Sequence, residues 1–89
     1  MSNDVILRQL IRSATSIGAN LEEAAGAHSR NDFIYVMNIA KKESRESNYW
    51  LRLLMQTNPS IPQIEKLISE SEELTKILTA SVKKSKANF

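Results

Sequence analysis

The stretch Ile11 to Ala27, IRSATSIGANLEEAAGA, sets the strongest limit on what this chain can fold into. Apolar and small residues recur along it at steps of three and four, the period of an amphipathic helix and not of a strand. Followed back to the start of the chain, the seam runs through Leu7, Leu10, Ala14, Ile17, Leu21 and Ala24, and Val5, Ile6 and Ile11 widen it. Ser2 or Asn3 is placed to cap this helix, with Asp4 near the positive end of its dipole. Gly18 stands in mid-helix among Ser13, Ala14, Thr15, Ser16 and Ala19, where glycine costs about 1 kcal/mol against alanine, so a bend or a close helix approach is expected there. Gly26 reads as a left-handed stop.

A second helix follows at once. Ser29 with Asp32 forms an S-x-x-D capping box, and Phe33, Met37, Ala40, Ser44, Ser47, Leu51 and Leu54 then alternate steps of four and three. This seam is large at both ends and small in the middle, so something bulky or a closely packed backbone should face Ala40 to Ser47. Ile34, Ile39, Tyr49, Trp50 and Leu53 lie off the seam, which gives the helix apolar area on two flanks. Asn58-Pro59 ends it, because proline drives the preceding residue out of the helical region and has no amide hydrogen. Ser60-Ile61-Pro62-Gln63 reads as an S-x-x-Q box opening a third helix with the seam Ile64, Leu67, Ser71, Leu74, Leu78 and Ser81, flanked by Ile68, Ile77 and Val82. The end, KKSKANF from Lys83, either frays or lies on an anionic partner.

These segments predict one all-α domain, an antiparallel up-down bundle with helices over residues 3–26, 30–57 and 61–85. The length of 89 residues leaves no room for a second domain, and two glycines, two prolines and five aromatic residues supply few turns and few strand formers. Without cysteine there is no disulfide or thiolate chemistry, and with no long uncharged apolar run or signal-peptide layout a cytoplasmic location is expected. A net charge of +2 permits a nucleic-acid partner without demanding one.

Lys41, Arg45 and Arg52 recur along one side of the second helix with Lys42 beside them, and Lys83 and Lys84 add charge near the end of the chain; phosphate contacts come from such rows. Glu43 and Glu46 break the row, and a solvated mixed-charge face held by side-chain pairs is the competing meaning. Ile17, Gly18, Asn20 and Leu21 of the first helix, and Tyr49 and Trp50 of the second, are candidates for helix packing or an oligomer interface, with Asn20 and Glu23 spaced to form a buried polar pair. No catalytic, metal or cofactor site is expected: a carboxylate-bridged metal centre needs a Glu-x-x-His pair from each of two helices, and this chain has one histidine, His28. Ser29 and Asp32 are accounted for as the capping box and not as a catalytic triad with His28.

SIGANLEEA from Ser16, together with DFIYVMNIAKKESRESNYWLRLL from Asp32, closely resembles the bacterial four-helix-bundle family of proteins encoded in intervening sequences of large-subunit ribosomal RNA genes, the S23 ribosomal protein family. The accessory variability determinant proteins of diversity-generating retroelements look like relatives. The resemblance spans Leu7 to Lys86 and implies a non-enzymatic bundle that assembles into rings, pentamers in some members, and works on nucleic acid or with a reverse transcriptase. Family members carry a further amphipathic helix ahead of the segment matching Leu7 to Ala27. With nothing in this sequence to supply that helix, self-association is expected to cover the flank it would occupy.

Overall fold

The computed structural model describes residues 2–87, and all its regular elements are helices: α1 (Asn3–Ala25), α2 (Arg30–Thr57) and α3 (Ile64–Ala87). Each start follows from local chemistry. Ser2 is extended and its hydroxyl accepts from the Val5 amide at 3.4 Å, while the Ser29 hydroxyl accepts from the Asp32 amide at 3.1 Å. The Asp32 carboxylate reaches back to accept from the His28 amide at 3.4 Å, which completes the expected box one residue early.

Two helix ends differ from expectation. Gly26 has φ −101° and is not left-handed; the amides of Gly26 and Ala27 instead donate to the carbonyls of Glu23 and Ala24, at 3.1 and 3.2 Å, tightening the last turn so that its carbonyls are satisfied. The Ser60 box does not form. Ile61 donates to the Asn58 carbonyl and Ile64 to the Ile61 carbonyl, so the chain makes two successive turns, and Gln63 at φ 62° redirects it into α3. The third helix therefore begins at Ile64, later than the capping pattern suggests, and runs through Lys83, Lys84 and Lys86 to Ala87; Asn88 and Phe89 lie outside the described residues.

Helix α2 is the centre of the fold, packed by α1 on one flank and α3 on the other. Among the described residues no α1 Cα comes within 8 Å of an α3 Cα, so these two helices are not direct neighbours at the 8–10 Å spacing of packed helices. Side chains of all three helices gather in an apolar cluster at each end of the bundle. Ala24 and Leu21 of α1 join Val36, Met37 and Ala40 of α2 with Leu74, Leu78 and Val82 of α3 at one end. Ile6 joins Leu51, Leu54 and Ile64 at the other.

Between the apolar ends lies a narrow polar waist. Ser13 of α1 and Ser47 of α2 share a buried hydrogen bond of 2.7 Å, Ser44 and Thr75 a half-buried one of 2.7 Å, and the Asn48 amide nitrogen donates to the Ser71 hydroxyl at 2.8 Å. The small middle of the α2 seam thus faces other small hydroxyl residues, which lets the backbones close up, and Ser44 and Ser47 reach across to neighbouring helices. Ser13 and Ser71 also bond the Leu10 and Ile68 carbonyls in their own helices. Among the described residues no buried side-chain polar atom is left without a partner, so each such bond contributes about 1 kcal/mol instead of leaving a desolvated group.

The α1 seam is rotated from the expected one. Ile6, Ser13, Ile17 and Ala24 are buried, whereas Leu7 and Ala14 are exposed. Leu7, Ile11, Ala14, Gly18 and Leu21 form a second stripe, roughly 100° round the helix, that borders the open corner between α1 and α3. Leu67 and Ile77 border it from α3, so Leu67, expected in a seam, is exposed, and Val82, expected on a flank, is core. A Cβ added at Gly18 would meet nothing within 4 Å, which removes close packing within the chain as the reason for that glycine. Asn20 bonds the Ser16 carbonyl at 2.8 Å and Glu23 is exposed, so the expected Asn20–Glu23 pair does not exist.

Gly18→Ala is expected to raise the unfolding free energy by about 0.5–1 kcal/mol, because it removes backbone entropy without a clash. Ser47→Leu, which overfills the waist and removes a hydrogen bond, should lower it by about 1–3 kcal/mol. Urea denaturation followed by circular dichroism measures both; the opposite ordering contradicts this description of the core.

Candidate nucleic-acid interface

The cations of α2 and its carboxylates point to different flanks. At about 100° per residue Lys41, Arg45 and Arg52 fall within roughly 40° of one another, on the side beyond the α3 contact. Glu43 and Glu46 lie on the α1 flank, where Arg12 pairs with both, at 3.2 Å from Glu43; Glu46 also accepts from the Trp50 indole nitrogen at 3.1 Å. The two glutamates that interrupt the basic row in sequence are therefore tied up across the helix. No ion pair joins Lys41, Lys42 or Arg45 to a carboxylate among the described residues. Arg52 differs, since its Nε donates to the Asn48 side-chain carbonyl at 2.8 Å.

The remaining candidates separate. Lys42 sits about 60° beyond Arg45, at the edge of the face. Lys83 and Lys84 are a helical step apart, so Lys83 lies on the outer side of α3 and Lys84 turns toward the open corner. Of the packing candidates, Ile17 is buried, Asn20, Leu21 and Trp50 are half-buried, and Gly18 and Tyr49 are exposed. The Tyr49 ring meets Trp50 edge-on with centroids 5.0 Å apart. Tyr35, which no seam of the sequence includes, is 67% exposed on the same side of α2 as Lys42 and Tyr49, at steps of seven residues. The cleft at the α2–α3 turn, lined by Pro59, Ile61, Gln63, Ile64 and Glu65, holds about 210 Å³, below the several hundred typical of ligand pockets. Among the described residues no group of three metal-ligating side chains converges, and no helix is long and apolar enough to cross a membrane.

Comparison with known proteins adds three findings. The family described as 23S rRNA-intervening sequence protein matches residues 2–80. A solved structure of a protein with unknown function from the S23 ribosomal protein family of Bacteroides thetaiotaomicron VPI-5482 is similar at 46% identity and a TM-score of 0.82, over 89% of this chain and 74% of that one. No curated protein matches the sequence.

The Arg12 clamp is testable by a double-mutant cycle of Arg12→Gln with Glu43→Gln. Arg12 is 48% exposed, so solvent screens the pair and a coupling of about 0.2–1 kcal/mol is expected, shrinking between 0.05 and 0.5 M salt. A salt-independent coupling contradicts the assignment.

Proposed function

The chain belongs to the 23S rRNA-intervening sequence protein family, and from that premise we propose that it is a non-enzymatic, self-associating helical module that binds nucleic acid through the outer face of α2. One arrangement carries the reading. A row of basic side chains is freed from the neighbouring glutamates by Arg12, and phosphate backbones are bound by such unneutralised rows. Structured RNA, DNA or the nucleic-acid complex of an enzyme such as a reverse transcriptase presents that chemistry, and a cytoplasmic setting suits a chain without cysteine.

Self-association rests on a different surface. Leu7 at 41%, Ile11 at 61% and Ile77 at 63% exposure border the corner between α1 and α3, an apolar area that favours covering by protein. A scaffold that binds proteins alone would use this corner and not the basic face.

Replacing Lys41, Arg45 and Arg52 together by glutamate should abolish binding to a mixed panel of RNA and DNA in fluorescence polarisation and flatten the salt dependence of what remains. Native protein that fails to bind at 50 mM salt, or a triple variant that binds equally well, refutes the nucleic-acid reading and leaves the scaffold. Light scattering at tens of micromolar should give a mass above the 10.1 kDa of one chain; a monodisperse monomer refutes self-association.

A further inference from the structure

We infer that the anion site is shared between two helices, with Lys76 and Lys83 of α3 interleaved with Lys41 and Arg45 of α2, and that it takes one strand of a double-helical nucleic acid. The inference rests on the reading above and extends it from a row to a surface. Its basis is helix register. Ser44 bonds Thr75 and Asn48 bonds Ser71, and in both pairs the residue numbers add to 119, so residue n of α2 lies level with residue 119 − n of α3. By that register Lys76 is level with Glu43 and Lys83 with Val36, so along the bundle the order is Lys83, Lys41, Lys76, Arg45.

Both rows face the same way. On α2, passing from the α1-directed Glu43 and Ser47 through the α3-directed Ser44 and Asn48 leads next to Lys41 and Arg45. On α3, passing from Leu74 and Leu78, which join α1 residues in the core, through Ser71 and Thr75 leads past Glu72 to Lys76 and Lys83, themselves within about 20° of each other. The shared side is the one turned away from α1. Lys76 and Lys83 are exposed, and among the described residues neither has a carboxylate within ion-pair distance.

The four cations span nine residue rises, about 14 Å, on a pair of packed helices. At 3.4 Å of axis per phosphate, one strand of a duplex presents about four phosphates over that length. Arg52 lies outside the cluster by position, seven residues beyond Arg45 with Glu65 level with Leu54 beside it; Glu72, level with Ser47 and one turn before Lys76, bounds the cluster beyond Arg45. A single strand is the weaker fit, because successive bases need closely spaced aromatic faces, whereas the exposed Tyr35 and Tyr49 are fourteen residues apart, about 21 Å.

The test is fluorescence polarisation of the full chain with a labelled 20-base-pair RNA duplex, the matching DNA duplex and a 20-nucleotide single strand, across 50–300 mM salt. Expected are duplex binding with a log–log salt slope of about −3 to −4, and a loss of about 2 in that slope for Lys76→Gln/Lys83→Gln, with a fall in affinity of roughly tenfold per cation at 50 mM. Arg8→Gln/Lys66→Gln, an equal loss of exposed charge elsewhere on the bundle, should stay within threefold of native. Thermal melts confirm that these surface variants remain folded. If Lys41→Gln/Arg45→Gln weakens binding while Lys76→Gln/Lys83→Gln does not, the shared site is wrong and the α2 row stands. If neither pair matters, the nucleic-acid reading itself fails. Tighter binding of the single strand, lost in Tyr35→Ala/Tyr49→Ala, overturns the duplex.

Discussion

The hydrogen bond between Ser44 and Thr75, with its neighbour from Asn48 to Ser71, is the constraint on which the surface of this molecule depends. Apolar packing alone specifies that helices associate but tolerates sliding by a turn when the side chains are of similar size, as Leu, Ile and Val are. A shifted register parts the buried Ser44 hydroxyl from its partner across the gap, while Thr75 and Ser71 keep their bonds to the Ser71 and Ile68 carbonyls of their own helix. The waist therefore decides which residue of α3 lies beside which residue of α2. Ser13 with Ser47 does the same for α1, and fixes where Arg12 meets Glu43 and Glu46.

Electrostatics follow from that register. A net charge of +2 describes a chain with little bias, yet the fold sorts it: α2 turns its glutamates to α1 and its cations outward. Long-range attraction of a polyanion depends on such local fields more than on the total. The apolar corner between α1 and α3 lies on the other side of the molecule from the basic face, so a partner in the corner and a nucleic acid on the face do not compete for space.

Much of this fold is legible in the residues. The α2 seam from Met37 to Leu54 is buried as its spacing predicts, and the Ser2 and Ser29 caps form because a side-chain oxygen at that position meets an amide within its own turn. What the sequence hides is set by longer-range or competing geometry. The α1 stripe is wide enough to contain two faces, and only the buried Ser13 shows which one meets α2; a serine carries no hydrophobic signal, so the seam reads one residue out of place. Ser60 and Gln63 satisfy a capping pattern that two short turns pre-empt. Lys76 has no motif at all: its place beside Arg45 exists only once α2 and α3 are in register, and the segregation of Glu46 from Arg45 exists only once Arg12 is across from it.

The most direct test of this account is a cross-linking comparison, for which the absence of native cysteine leaves the chain clean. Ser44→Cys paired with Thr75→Cys puts two thiols where the hydroxyl oxygens are 2.7 Å apart, within the reach of an unstrained disulfide. Ser44→Cys paired with Ser71→Cys or with Thr79→Cys places them one turn out of register in either direction. Under mild oxidation the first pair should close rapidly within one chain, and the other two slowly or not at all. Faster closure of either shifted pair contradicts the register, and with it the surface that joins Lys41, Arg45, Lys76 and Lys83.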